Sequence, residues 1–376
     1  MSKALSNLET PAALIDLSRM RSNIKHMQGR MNELGVAFRP HFKTSKCLPV
    51  LEEQIAAGAS GITVSTLKEA ELCFAAGVEN ILYAVAIVET KLPQALALMK
   101  RGCHLSVITD SIAGATAIVE FGKQHDSQFN VWIEVDCDGH RSGLEPNSDV
   151  LVTVAQVLTS GGMTLAGVMT HAGSSYELNE HEALVALAEQ ERALCVLAAE
   201  RIRAAGMTCP QVSIGSTPTA LSARALAGVT EVRAGVYVFF DLVMHNVGIC
   251  EASDLALSVL TTVIGHQVEK GWVITDAGWM ALSRDRGTSR QSHDYGYGQV
   301  CSETGEWLPG VVVASANQEH GIIEVADRER LELDFPIGKR LRIMPNHACA
   351  TGAQFPTYIA VDEQGQTSEW ERHYGW

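Results

Sequence analysis

Val36-Ala37-Phe38-Arg39-Pro40-His41-Phe42-Lys43-Thr44-Ser45-Lys46 reads as a short buried strand, a lysine where the strand ends, and the start of a helix. Ahead of it, Met20, Ile24, Met27, Met31 and Leu34 recur at helical spacing, and Gly35 supplies a left-handed stop. Thr44-Ser45 can open the next helix. A lysine at the carboxyl end of a parallel strand, in an apolar collar, is expected to be desolvated. That lowers its pKa and leaves an amine able to form a Schiff base. Taken alone, the octapeptide from Arg39 to Lys46 reads equally well as an ordinary loop carrying a solvated lysine.

Downstream, apolar strand runs alternate with amphipathic helices. A helix at 48–57 stops at Gly58, Ile62–Val64 is a strand, and Thr66-x-x-Glu69 is a capping box for a helix at 67–76 that ends at Gly77. Further strands are expected at 81–85, 105–109, 131–135, 166–170, 212–214 and 232–234. Alternation of this kind means parallel strands with crossover helices. Eight such units in about 240 residues predict an α/β fold of the (β/α)8 TIM-barrel type rather than an open doubly wound sheet. No G-x-G-x-x-G opens a helix after the first strand, which also weighs against a dinucleotide fold.

From about Leu255 the pattern changes. Strands are expected at 257–264, Trp272–Thr275, 311–314 and 341–344, joined by Gly-, Asp-, Glu- and Asn-rich connections, so the C-terminal part reads as a mainly β domain. Ala12–Asp16 is expected to add a strand to it. The predicted division is a barrel at 17–250 and a β-domain made of 1–16 with 251–376.

The 376 residues are 46% hydrophobic and 19% charged, the composition of a soluble globular protein. A formal net charge of −14 argues against nucleic acid or an anionic membrane surface as partner. The start, Met1 to Pro11, lacks a basic flank followed by an apolar core, so no signal peptide is expected. No run of about 18 uncharged apolar residues appears, so no membrane span is expected either. Nine cysteines, odd in number and without a C-x-x-C pair, are the pattern of reduced thiols in a cytoplasmic protein.

In such barrels the active site lies at the carboxyl ends of the strands. Lys43 follows the first strand, Asp136-Cys137-Asp138-Gly139-His140-Arg141-Ser142-Gly143 the fifth, and His171-Ala172-Gly173-Ser174-Ser175-Tyr176 the sixth. Gly215-Ser216-Thr217-Pro218 follows the seventh, and Gly235-Val236-Tyr237 the eighth. Loops after the last two strands commonly bind phosphate: glycine permits close approach, hydroxyls donate, and Pro218 can start a helix. Ser216-Thr217 alone reads as a plain N-cap, His171 alone as a rim histidine, and Arg141 alone as a loop salt bridge. A phosphate cradle and a rim lysine on one face together suggest pyridoxal 5'-phosphate, its aldehyde on the lysine and its phosphate on the loops.

The order Lys43, His140-Arg141-Ser142-Gly143, Thr170-His171-Ala172-Gly173, Gly215-Ser216-Thr217-Pro218 and Arg233-Ala234-Gly235-Val236-Tyr237 resembles the fold-type III, alanine-racemase-like pyridoxal phosphate enzymes. Arg39-Pro40-His41-x-Lys43-Thr44 together with Pro345-Asn346-His347-x-Cys349 resembles their metal-activated branch, the D-serine dehydratases and D-threonine aldolases. The resemblance spans nearly the whole chain. It implies that Lys43 is the Schiff-base lysine, that Arg141 faces the cofactor's phenolic oxygen, and that His171 packs on its ring. It further implies that Gly215, Ser216, Thr217, Gly235 and Val236 cradle the phosphate, with Tyr237 beside them. Arg233 falls where racemases face the pyridine nitrogen, and Tyr176 is a further pocket residue.

His347 and Cys349, two apart in an extended segment, are expected to point the same way and could bind one soft divalent ion. Two ligands fall short of the usual three, and on residues alone a buried thiol beside a loop histidine is the better reading. The resemblance implies a metal: zinc, with manganese, cobalt or magnesium as alternatives. It also implies a homodimer and a dehydratase that turns D-3-hydroxyamino acids, such as D-threo-3-hydroxyaspartate or D-serine, into a 2-oxo acid and ammonia. The metal would polarise the 3-hydroxyl while the freed Lys43 takes the α-proton. The alternatives are retro-aldol cleavage, as in D-threonine aldolase, and a non-catalytic pyridoxal phosphate-binding protein. The second leaves the β-domain with His347 and Cys349 unexplained.

Overall fold

A computed structural model of the chain describes residues 5–376. Met1 to Ala4, which begin both the start read for a signal peptide and the segment 1–16, lie outside the described residues. The chain forms two compact units, Lys25–Gly235 with Gly375–Trp376, and Met1–Ile24 with Val236–Tyr374.

Strand β1 (Ala12–Asp16) and helix α1 (Leu17–Glu33) come first. Eight parallel strands then build the first unit: β2 (Ala37–Pro40), β3 (Ile62–Val64), β4 (Asn80–Ala86), β5 (His104–Thr109), β6 (Asn130–Val135), β7 (Thr164–Thr170), β8 (Gln211–Ile214) and β9 (Glu231–Ala234). They are hydrogen-bonded in the order β2-β9-β8-β7-β6-β5-β4-β3. A parallel bridge between His41 and Thr63, with the Phe42 N–H on the Thr63 carbonyl at 2.9 Å, joins the two ends into the expected barrel. The crossovers carry α2 (Leu48–Ala56), α3 (Leu67–Ala75), α4 (Leu92–Lys100), α5 (Ile112–Gln124), α6 (Asp149–Ser160), α7 (His181–Ala204) and the short α8 (Thr217–Ser222).

Side chains alternate along a strand, and register carries one face around the ring. Glu134 pairs with Met169, Met169 with Ser213, Ser213 with Glu231, and Arg39 with Arg233. That face is divided chemically. Leu82, Ile108, Trp132 and Met169 form an apolar cluster on β4 to β7. Across β8, β9 and β2 runs a polar chain: Arg39 Nε donates to Glu231 at 2.8 Å, Ser213 to Glu231 at 2.8 Å, and Arg233 Nε to Ser213 at 2.9 Å. Buried charges are tolerated when each is paired in this way.

Two local expectations are corrected. Thr44-Ser45 do not open the next helix; the chain stays in turns, with Lys46 at φ 45°, and α2 starts after Cys47 with Pro49 in its first turn. Proline is pre-organised there and brings no N–H that needs a partner. The capping box is also half formed. Thr66 accepts the Glu69 N–H at 3.0 Å, but the Glu69 carboxylate takes the Ser65 N–H at 2.9 Å and pairs with Lys46 at 2.9 Å.

The second unit is mainly β. To β1 it adds β10 (Leu257–Gln267), β11 (Trp272–Thr275), β12 (Gln299–Ser302), β13 (Trp307–Ala316), β14 (Gly321–Glu324), β15 (Arg340–Met344), β16 (Thr357–Val361) and β17 (Thr367–Glu371). The order is β11-β14-β13-β12-β15-β10-β1-β16-β17, and β11 also pairs with β10. Long β10 thus closes a six-stranded ring at its far end, while its near end holds an arm of β1, β16 and β17. Ala12–Asp16 does join this domain, where Leu14 packs with Leu5, Leu260 and Ile359. Strands β12, β14, β16 and β17 were not foreseen. Among the described residues no helix is long and apolar enough to cross a membrane.

Candidate active site

The barrel rim gathers most of the polar residues singled out above. Lys43 lies just past β2 with its backbone N–H 3.3 Å from His41 Nδ1. Its side chain is exposed, so the desolvation expected for it is absent. The two imidazoles beside it are half-buried. Burial pulls the His41 imidazole well below its usual pKa, and the charges of Lys43, Arg233, His171 and Lys46 push the same way. His171, at the end of β7, is lowered to about 3 by burial, opposed by the Gly215 carbonyl and assisted by Lys43, Arg233 and Arg141. Both imidazoles are therefore neutral at pH 7.

His171 Nδ1 donates to the Gly215 carbonyl at 2.8 Å, which leaves Nε2 as the unprotonated nitrogen. Tyr176 sits in the 3₁₀ turn Gly173–Glu177, its ring 6.1 Å from that of His171. Arg233 is buried, donating to Ser213 and through Nη2 to the Thr170 carbonyl. Arg141 is exposed on the loop after β6, 3.6 Å from Glu134. Gly215 has φ +135°, and a Cβ there would lie 2.1 Å from the Arg233 carbonyl oxygen, so only glycine fits. Ser216 caps α8: it accepts the Thr219 N–H at 3.2 Å, and Thr219 returns the bond to complete a capping box. Thr217 is the first residue of α8. A Cβ on Gly235 would meet the Thr44 hydroxyl at 2.9 Å and His41 Cβ at 3.2 Å.

An exposed primary amine, a neutral imidazole held by its far nitrogen, a fixed guanidinium, and two strand ends bare of side chains suit pyridoxal phosphate. The amine can take its aldehyde, the imidazole can face its ring, and the bare ends leave room for its phosphate.

Val236 and Tyr237 begin the second unit in the buried 3₁₀ turn Val236–Val238. Farther along, His347 and Cys349 do not lie in an extended segment. His347 is the extended N-cap of the short helix Ala348–Gly352, and Cys349 is already helical. The two side chains nonetheless interact, Cys349 raising the His347 pKa. His347 Nδ1 is 2.7 Å from Asp285 Oδ2, and the buried Asp241 accepts the Ala348 N–H between the two donors at 2.9 Å. Burial lowers the His347 pKa, but Cys349, Asp285 and Asp241 together override it and hold the imidazole well above its usual value. A field that attracts a proton attracts a cation, so thiolate and imidazole fit a soft divalent ion. Among the described residues no third His, Cys, Asp or Glu completes a protein shell.

Four positioning carboxylates were not anticipated. Glu134, Asp285 and Asp241 meet their partners only in three dimensions, although Asp241 before an apolar helical run is a readable N-cap. Glu191 did leave a signal: it stands on the stripe of α7 formed by Leu184, Leu187, Ala188, Cys195, Ala198 and Ile202, and it is fully buried.

The family described as "Alanine racemase, N-terminal domain" matches residues 15–243, and the "Putative serine dehydratase domain" matches residues 256–361. The chain is 61% identical over 380 residues to the D-threo-3-hydroxyaspartate dehydratase of Delftia sp. (strain HT23), covering all of both chains. It is 28% identical over 383 residues to the D-serine dehydratase of Dictyostelium discoideum, covering 96% of this chain and 95% of that one. A solved D-threo-3-hydroxyaspartate dehydratase variant, in the metal-free form, superimposes with a TM-score of 0.98 at 61% identity and covers both chains completely. With a closed barrel joined in sequence to a mainly β domain, and both domain families matched in that order, the chain belongs to the alanine-racemase-like, fold-type III family, in the branch that carries the serine dehydratase domain.

Proposed function

We propose that the chain is a dehydratase, a carbon–oxygen lyase that converts D-3-hydroxyamino acids, D-threo-3-hydroxyaspartate foremost, into a 2-oxo acid and ammonia. The observation that carries this reading is the 61% identity to a dehydratase of that substrate over the full length of both chains.

Lys43 is assigned to the aldehyde of pyridoxal phosphate. Gly215, Ser216, Thr217 and Gly235 are assigned to its phosphate, and His171, Tyr176, Arg141 and Arg233 to its ring. His347 and Cys349 are assigned to a divalent ion, with zinc favoured by the sulfur donor. Bound there, the cofactor would supply an electron sink for the substrate's α-carbon, and the ion would supply a Lewis acid for the 3-hydroxyl. The residues do the rest. Lys43 Nζ takes the α-proton. Burial, which lowers the His171 pKa to about 3, favours a neutral imidazole beside the ring. A homodimer in the cytoplasm completes the proposal; that all nine cysteines are free supports a reducing compartment.

Product analysis with D-threo-3-hydroxyaspartate, D-serine and D-threonine tests the reading. Ammonia with a 2-oxo acid supports it. Glycine with an aldehyde or glyoxylate identifies an aldolase and overturns it.

A further inference from the structure

Glu191 is a costly residue for stability alone. It lies in the middle of α7 and is fully buried. An apolar side chain of similar size generally serves a core at least as well. What the carboxylate does is specific. Its Oε1 accepts the N–H of Ala172 at 2.9 Å and the N–H of Gly215 at 3.0 Å.

Those two N–H groups belong to different loops, after β7 and after β8. Ala172 directly follows His171, and the Gly215 carbonyl takes the proton on His171 Nδ1. The path from Glu191 to Ala172, along the chain to His171, across to Gly215 and back to Glu191 is a closed circuit. Ser175 extends it, donating to the Ala172 carbonyl at 2.7 Å and meeting the Ser216 hydroxyl at 2.9 Å. The neighbouring Gln190 donates to the Cys137 carbonyl at 2.7 Å, so one turn of α7 holds the loops of three consecutive strands. Burial raises the Glu191 pKa, and the Thr219 hydroxyl, the Ala172 and Gly215 N–H groups and Arg233 oppose it.

We infer that Glu191 is a positioning residue for the cofactor: through two backbone N–H groups it fixes the tautomer and orientation of His171 and the backbone of Gly215. The inference rests on the reading of this barrel as a pyridoxal phosphate site. A single rigid acceptor shared by two loops makes the ring contact and the phosphate contact move together, so losing it loosens both.

The test is equilibrium binding to apo-protein of two probes: pyridoxal phosphate, and pyridoxine 5'-phosphate, which lacks the aldehyde and cannot react with Lys43. Glu191→Gln keeps one oxygen for both N–H groups and is expected to bind both probes close to wild type. Glu191→Met removes the acceptor at similar volume. Glu191→Asp keeps the charge but withdraws it by one methylene, and it serves if the methionine variant does not fold. Each of the latter two is expected to weaken pyridoxine 5'-phosphate by about tenfold or more. At temperatures below the apo-protein's melting point, a structural role alone would leave that affinity unchanged. Folded Asp or Met variants that bind both probes like wild type overturn the inference. Wild-type apo-protein that binds neither probe overturns the cofactor reading itself, which is a separate outcome.

Discussion

His347 Nδ1 and Asp285 Oδ2 lie 2.7 Å apart although 62 residues separate them in the chain. The contact commits Nδ1 to the carboxylate and leaves Nε2 as the nitrogen able to bind a metal. The pairing also holds the Asp285 carboxyl below its usual range, chiefly through the His347 hydrogen bond. Asp285→Asn is expected to weaken metal binding by about 10–100-fold, the usual cost of losing such a support. Competition with a coloured chelator measures this; unchanged affinity would show that Asp285 only packs the loop.

Lys43 and the metal pair are expected to separate spectroscopically. Lys43→Ala should abolish both activity and the visible band near roughly 410–420 nm that a pyridoxal–lysine imine gives. Dialysis against a strong chelator, or Cys349→Ala, should depress the turnover number and leave that band in place. Full turnover in protein assayed as metal-free would return His347 and Cys349 to an ordinary buried thiol and its neighbour.

Acid should weaken the barrel through its neutral histidines. His171 is lowered to about 3 and His41 also lies well below its usual value, whereas an unfolded histidine titrates near about 6.5. Between those limits the unfolded chain binds protons that the folded chain refuses. The contribution of these two histidines is therefore complete above about pH 6.5 and falls as pH drops, by up to about 1.4 kcal/mol per pH unit for each. His171→Gln should flatten the slope by one proton's share. Urea melts of apo-protein at several pH values measure it, and an unchanged slope would mean that His171 is protonated in the folded state.

Gly215 admits no side chain, for its φ is +135° and an added Cβ would lie 2.1 Å from the Arg233 carbonyl. Gly215→Ala is expected to cost about 2–4 kcal/mol in a denaturant melt. Gly235→Ala should cost less, because its near contact at 2.9 Å is the Thr44 hydroxyl, a side chain that can turn away. Equal losses would contradict this distinction between backbone and side-chain contacts.

The barrel was legible because buried parallel strands read as short apolar runs, and helix ends announce themselves locally. Ile62–Val64, the Thr66 cap and Gly77 show this within 16 residues. Lys43 was found by position, but its exposure was not readable: loops from other strands decide what covers a rim. Asp285 left no trace near His347 for the same reason. The β-domain was half legible. Thr-Ser-Glu-Trp-Glu, which forms β17, has no apolar alternation and is ordered by pairing with β16. Glu191 could have been found, since a carboxylate on an apolar helical stripe asks for a buried partner.

Closure of the six-stranded ring at β10 and β11 has a consequence for solubility. A sheet ordinarily ends in two rows of unpaired backbone groups, each a template for a strand from another molecule. Here the β11 end is consumed by β10, so among the described residues β17 is the one margin of this sheet left open. That margin carries exposed Glu369 and Glu371 on a chain of net charge −14. A second copy approaching to extend the sheet would bring Glu369 and Glu371 against like charge, so among the described residues the open margin of the sheet disfavours self-templated fibre growth.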